Sequence, residues 1–389
     1  MSNPIPTPDV YHWPVLHQID NAQVDTGHIR LHWDNGQDSR FHAMWLRDQC
    51  ACPDCTHPVT REQRISLLAI DEDVQASTAA LDSEGGLAVC WSDGHQSVYN
   101  PGWLYAHSGL RTPEETEIEL WNRASLPEPP NFDGPAVMQD ENIKLAVCEA
   151  MCRYGIARLR GLPTDDGTVE QVALEFGPVR ESHFERVFNV ISRPDADSNA
   201  YTSEELPAHT DMPSRETPHG LQLLHCRVNT STGGEAIMVD GFKIAEDIRR
   251  EAPEDFAILS TQPWTFANRA GETDYRWNAP LFELDSHGQL RSVRLASFLR
   301  APLMAEFDAI EPAYRSLRRF IKMTYQPEYR MTFAYQPGDL VIFDNRRVLH
   351  ARGEFDPNSG HRHLQGTYID RDDLLSTMRM LRHRQTGQA

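Results

Sequence analysis

The chain has 389 residues, with 37 Lys and Arg against 57 Asp and Glu and a formal net charge of −20 at pH 7. That balance excludes the counterion-releasing mode of nucleic-acid binding and attraction to anionic membrane surfaces. Hydrophobic residues make up 40% of the chain, enough for a packed core, and the length points to two domains.

No run approaches the roughly 18 apolar residues of a membrane span, and the opening MSNPIPTPDV has neither a basic n-region nor an apolar h-region. The expectation is a cytoplasmic chain whose seven cysteines stay reduced. Three of them, Cys50, Cys52 and Cys55, fall within six positions; random placement gives such a C-x-C-x2-C cluster roughly 0.002 times, so metal is the natural explanation.

The fourth ligand follows from a repeat. Leu31-His-Trp33-Asp-Asn35-Gly36-Gln37-Asp-Ser39-Arg-Phe41 with Trp45-Leu46 recurs as Val89-Cys-Trp91-Ser-Asp93-Gly94-His95-Gln-Ser97-Val-Tyr99 with Trp103-Leu104. Each copy reads as an apolar strand, an Asn-Gly or Asp-Gly turn of type I′, and a return strand. Where the first copy has Gln37, the second has His95 just past the turn. Three thiolates and that imidazole make a closed, structural zinc site; Cys90 and His57 stand as alternatives to His95. The first 124 residues are therefore expected to form a small β-rich zinc domain.

The proline-rich SLPEPPNFDGP at 125–135 reads as a linker, leaving 136–389 as the second domain. Asp140 and Glu141 precede an apolar-periodic helix stopped by Gly155, and a strand is expected at Ile156–Leu159. Further strands are expected around Leu221–His225, Ala236–Val239, Met331–Tyr335 and Leu340–Phe343. A helix over Met304–Met323 would bury Phe307, Ile310, Tyr314, Leu317 and Ile321 on one face. Many short strands and few long helices suggest a mainly β jelly roll with flanking helices.

His209-Thr210-Asp211 is an H-x-D triplet, its outer side chains on the same side of a strand. Such triplets arise by chance, and His32-Trp33-Asp34 is one. What distinguishes His209 and Asp211 is their company: Thr232-Gly233-Gly234, then Phe343-Asp-Asn-Arg-Arg-Val-Leu-His350, then Arg362. Two imidazoles and one carboxylate are the ligand set that holds non-haem Fe(II) and leaves positions open for dioxygen and a cosubstrate. Arg362 would clamp the far carboxylate of a dicarboxylic cosubstrate. His225, Cys226, Cys148 and Cys152 read as buried structural residues.

These motifs, together with Gly220-Leu-Gln-Leu-Leu-His-Cys226, Val239-Asp-Gly-Phe242 and Arg362-His-Leu-Gln-Gly-Thr-Tyr368, resemble the γ-butyrobetaine and trimethyllysine dioxygenases over nearly the whole chain. The resemblance implies a homodimeric Fe(II)- and 2-oxoglutarate-dependent hydroxylase with a double-stranded β-helix, making L-carnitine from γ-butyrobetaine, with ascorbate as a candidate reductant. It implies that His209, Asp211 and His350 bind iron, that Arg362 binds 2-oxoglutarate, and that a structural zinc lies in the N-terminal module. It places Tyr201, Tyr368, Phe184 and Phe188 in an aromatic cage for the trimethylammonium group, and Asn199 at the substrate carboxylate. A quaternary ammonium ion has no N–H to donate, so ring faces and charge must hold it. The sequence departs from the family at Ala236, where relatives often carry a hydroxyl, at Ile191, in a cage position, and at Ser198, where Asn fits the motif better. The alternatives are an oxygenase of trimethyllysine or another quaternary-ammonium acid, and a non-catalytic zinc-stapled binding protein.

Overall fold

The computed structural model describes residues 5–110, 117–182, 185–191, 202–270 and 273–385. The chain divides into two compact units, residues 1–115 with 385–389, and residues 116–384. No helix among the described residues is long and apolar enough to cross a membrane.

The first unit carries two three-stranded antiparallel sheets, one of Ile19–Asp25, His28–Trp33 and Asp38–His42, the other of Ala76–Leu81, Leu87–Trp91 and Gln96–Tyr99. The repeat is a repeat of contacts as well as letters. Trp33 Nε1 donates to Ser39 Oγ at 2.8 Å, and Trp91 Nε1 donates to Ser97 Oγ at 2.9 Å. A short helix follows each hairpin, Ala43–Asp48 and Pro101–Ala106, burying Leu46 and Leu104. Both turns differ from the expected type I′. Only Gly36 (φ 78°) and Gly94 (φ 82°) adopt positive φ, whereas type I′ needs it at both central residues. Asn35 and Asp93 instead use their side-chain oxygens to accept the N–H two residues on, from Gln37 at 3.0 Å and His95 at 2.9 Å. That capping sets the position of residue 95.

The second unit packs two sheets face to face. The larger runs Asn131–Asp133, Ile156–Arg160, Leu340–Asp344, Leu221–Asn229, Arg362–Ile369, Phe188–Ile191, and the smaller runs Leu206–His209, Val348–Arg352, Ala236–Asp240, Met331–Phe333. Neighbours far apart in sequence and almost wholly antiparallel pairing make this the expected jelly roll. Helices cover the outer faces. Glu141–Tyr154, N-capped by Asp140 and ended by Gly155 in the left-handed conformation, packs with Arg371–Gln385 on the larger sheet. Gly241–Glu251, Pro253–Thr261 and Phe307–Tyr325 pack on the smaller. The space between the sheets is lined by Phe188, Leu224, Met238, Phe343, Leu364 and Tyr368.

Two expectations shift. The segment 125–135 is no free spacer: Pro129 is buried, Asn131–Asp133 pairs in parallel with Ile156–Arg160, and Trp121, upstream of it, donates Nε1–H to the Tyr154 carbonyl at 2.7 Å. Pro129 and Pro130 lead into the strand Asn131–Asp133, and the Pro130 carbonyl accepts the Arg158 N–H at 2.8 Å. The long helix begins at Phe307 and buries Ala313, Ser316, Leu317, Phe320 and Met323, while Phe307 and Tyr314 are exposed. Leu317 is buried and Ile321 packs partly buried on the same core as expected, but the first turn projects beyond the core, so apolar spacing found only part of the stripe.

Candidate functional site

In the first unit, Cys50, Cys52 and Cys55 lie directly after the helix Ala43–Asp48. Thr56 Oγ1 donates to the Cys50 carbonyl at 2.8 Å, and the Cys55 N–H donates to the Cys52 carbonyl at 3.0 Å, so the three thiols converge. His95 Nε2 sits 3.2, 3.6 and 3.5 Å from the sulfurs of Cys50, Cys52 and Cys55. Tetrahedral zinc, with Zn–S near 2.3 Å and Zn–N near 2.0 Å, places N and S about 3.5 Å apart. The spacing fits. Burial, then the charge of Cys50, pushes the Cys55 thiol up to about 12, so three thiolates need a cation among them. Burial and the Arg47 charge keep His95 neutral, as a ligand must be. Arg47 donates to Asp93 at 2.9 Å and to Cys55 Sγ at 3.5 Å, tying the second hairpin turn to the thiol loop. His57 instead accepts from the N–H groups of Val59 and Thr60, and neither it nor Cys90 belongs to the cluster.

In the second unit, His209 closes the strand Leu206–His209 directly opposite His350 on Val348–Arg352. Asp211 lies past the strand end, in a bend, so the triplet is not one extended face. The bend still brings its carboxylate back. Asp211 Oδ1 is 3.3 Å from His209 Nε2 and 3.6 Å from His350 Nε2. Two ligands at right angles about 2.1 Å from a first-row ion lie about 3 Å apart, close to these separations. His209 Nδ1–H donates to the Pro207 carbonyl at 2.9 Å, which fixes the tautomer and leaves Nε2 free to coordinate. Burial, reinforced by His209, pushes His350 down to about 3 and keeps it neutral. Burial alone would raise Asp211, but His350, His209 and the Tyr368 hydroxyl outweigh it and hold the carboxyl well below its ordinary range. The donor chemistry is that of a non-haem Fe(II) site.

These residues open into a cavity of about 550 Å³ between the sheets. Arg362 lines it on the strand beside Leu221–Asn229, and forms no ion pair among the described residues. The T-G-G turn makes room for it: at Gly234, with φ 75°, an added Cβ would meet Arg362 Nε at 3.3 Å. Ala236 also lines the cavity, with no hydroxyl to offer. Of the expected substrate residues, Tyr368 and Phe188 line the cavity with their rings stacked at 5.2 Å, and the Tyr368 hydroxyl donates to Asp211 Oδ2 at 2.7 Å. Tyr201, Phe184 and Asn199, with Ser198, lie outside the described residues. Ile191 ends its strand partly exposed and is absent from the lining.

Sequence reasoning missed three further arginines in the cavity wall, Arg269, Arg300 and, two residues beyond His350, Arg352. Arg352 donates to the carbonyls of Thr202 and Glu204 at 2.8 and 2.7 Å, and burial, then the Arg362 charge, pushes it down to about 10. The same alternation that placed His209 beside Asp211 on paper would have found it.

Comparison with known proteins agrees with this geometry. Residues 122–368 match the taurine catabolism dioxygenase TauD, TfdA family, and residues 21–105 match the γ-butyrobetaine hydroxylase-like N-terminal family. A γ-butyrobetaine dioxygenase from Pseudomonas sp. (strain AK-1) is 43% identical over 95% of this chain and 97% of its own. The chain belongs to the γ-butyrobetaine hydroxylase-like dioxygenases of the TauD/TfdA family. The human γ-butyrobetaine dioxygenase is 28% identical over 93% of this chain and 96% of its own. The trimethyllysine dioxygenase of Meyerozyma guilliermondii is 29% identical over 94% and 96%. Membership in this family makes the chain an enzyme, which sets aside the non-catalytic binding protein. The face made by His209, Asp211 and His350 supplies the iron site that such an oxygenase needs.

Proposed function

We propose that this enzyme hydroxylates γ-butyrobetaine to L-carnitine, consuming O2 and 2-oxoglutarate and releasing succinate and CO2. The observation that carries the reading is the convergence of His209, Asp211 and His350 in the wall of a cavity that Arg362 and the Phe188–Tyr368 pair also line. When bound, the iron supplies the chemistry that couples oxidative decarboxylation of the cosubstrate to hydroxylation of an unactivated C–H bond.

The chain's own groups do the rest. Arg362 pairs with the far carboxylate of 2-oxoglutarate, a bidentate match between two planar groups. The Tyr368 hydroxyl occupies one oxygen of Asp211 and leaves Oδ1 for the metal. The rings of Phe188 and Tyr368, joined by Tyr201 and Phe184, offer apolar faces to the trimethylammonium group, and Asn199 offers its amide to the substrate carboxylate. The cysteine cluster supports the first unit by closing around zinc and keeps no open position for chemistry. We assign the enzyme to the cytoplasm, where thiols stay reduced, and to a homodimer, which light scattering in solution checks.

The deciding experiment follows 2-oxoglutarate turnover across a panel of betaines. Stimulation by γ-butyrobetaine with stoichiometric carnitine formation supports the reading. Stimulation by trimethyllysine in its place overturns the substrate and keeps the chemistry.

A further inference from the structure

The carboxylate ligand does not sit on a regular element, so something outside its own segment must hold it. Asp211 begins an irregular stretch in which Met212 adopts φ 51°, a left-handed conformation that a side chain beyond glycine or asparagine rarely takes without being held there. Asn345, wholly buried, lies 134 residues further on. Its Oδ1 accepts the Asp211 N–H at 2.7 Å, and its Nδ2 donates to the Asp211 carbonyl at 3.0 Å and to the His219 carbonyl at 3.1 Å. Its backbone N–H donates to the Gly220 carbonyl at 2.9 Å. One amide therefore grips both peptide groups of the metal-binding aspartate.

A second clamp holds the same stretch further along the chain. Arg294, also buried, donates to the carbonyls of Pro213, Arg215 and Glu216 at 3.1, 2.7 and 2.7 Å. Next to it, the Leu295 carbonyl accepts the Thr210 N–H at 2.7 Å. The placement of Asn345 gives the first clamp a particular consequence. It opens the turn that leads into Val348–Arg352, the strand carrying His350. Fixing Asp211 to Asn345 thus fixes one metal ligand against the strand of another.

We propose that Asn345, backed by Arg294, is a positioning residue that sets the geometry of the Asp211 carboxylate against His350 and thereby the metal affinity of the site. The proposal rests on the reading of His209, Asp211 and His350 as metal ligands. Partners outside the coordination sphere typically govern metal affinity by 10–100-fold, and sites tolerate displacements of only about 0.5 Å.

The test titrates Mn(II) into the zinc-loaded, iron-free full-length protein and reads free Mn(II) by its EPR signal. Mn(II) prefers oxygen and imidazole donors, so it leaves the thiolate cluster alone. Asn345→Ala should weaken Mn(II) binding about tenfold or more. Asn345→Asp keeps the size and one acceptor for the Asp211 N–H but loses both donated bonds, so it should fall between the two and serves if the alanine variant does not fold. Arg294→Lys, which cannot span three carbonyls, should weaken binding as well. Ser316→Ala is the control: its buried hydroxyl bonds to Asp255 at 2.7 Å in another core, so its loss should lower Tm without moving the Mn(II) affinity. A folded Asn345 variant with lowered Tm and unchanged Mn(II) affinity overturns the proposal and leaves the ligand reading intact. A wild type that binds no Mn(II) overturns the ligand reading, and the clamp with it.

Discussion

The Tyr368 hydroxyl donates to Asp211 Oδ2 at 2.7 Å, so a residue from the larger sheet finishes a carboxylate that follows a strand of the smaller. The same tyrosine stacks on Phe188 at 5.2 Å and lies tilted against His219 at 4.7 Å. Its ring and its hydroxyl therefore serve different ends. Tyr368→Phe keeps the ring and removes the bond, and should lower metal affinity by about tenfold while leaving the preference for a cationic substrate in place. Parallel loss of both in a metal titration and an analogue-binding assay would show that the two roles are inseparable.

His209→Ala and Asp211→Ala should each abolish hydroxylation and most substrate-free 2-oxoglutarate decarboxylation, because an incomplete face does not hold Fe(II) in an oxygen-activating geometry. Asp211→Glu should fail too, since one methylene moves the oxygen by more than the roughly 0.5 Å a site tolerates. Succinate release in the absence of substrate is the measurement, and persistent turnover in both alanine variants refutes the ligand assignment.

For zinc, Cys52→Ser and His95→Ala should lose metal and lower the Tm of the first unit, with iron-dependent decarboxylation by the second unit retained. A closed cysteine-histidine site contributes to folding, and its loss exposes thiols that burial and mutual repulsion hold protonated. Metal analysis per chain and differential scanning calorimetry check this. Full zinc content in His95→Ala would return the choice to another ligand.

Acid should destabilise the second unit through His225. The imidazole is fully buried in the strand Leu221–Asn229, and burial, then the Arg227 charge, pushes it down from 6.5 to about 4. The folded chain resists a proton that the unfolded chain accepts. Stability is therefore complete above pH 6.5 and falls as the pH drops towards 4, by at most about 3 kcal/mol for this group. His225→Leu should flatten that part of the curve in urea unfolding between pH 7 and 4; an unchanged slope would assign the acid sensitivity elsewhere.

Much of this was readable in sequence because the signals are local or repeated. The offset of 58 between two hairpins singled out His95, and the structure shows why: the Asp93 side chain caps the turn that points it at the thiols. His350 was readable because a two-imidazole, one-carboxylate ligand set calls for a second histidine and the Phe343–His350 motif offered one. Asn345 and Arg294 were not, since neither has a period or a spacing that ties it to Asp211, and only the jelly-roll crossing brings them there. The buried stripe of Phe307–Tyr325 was legible only in part, at Leu317 and Ile321, for a related reason: a helix shows its apolar residues in sequence, but the neighbouring layer decides which of them are covered.

The substrate pocket gives the sharpest test of the betaine reading. Each ring face attracts a cation by about 0.5 to 2 kcal/mol depending on desolvation, and a uniform apolar wall offers no such distinction. A cavity lined by Phe188 and Tyr368 should therefore separate γ-butyrobetaine from its neutral tert-butyl isostere, which has the same shape and no charge. The neutral analogue should bind at least tenfold more weakly, a difference of about 1.4 kcal/mol. Phe188→Leu removes a ring face and keeps apolar bulk, so it should narrow the gap mainly by weakening the cation and not the isostere. Calorimetric titration of both ligands into wild type and variant, with 2-oxoglutarate and a redox-inert metal present, measures all four affinities. Equal affinities in wild type would mean that the pocket reads volume alone, and the assignment of a quaternary-ammonium substrate would fall.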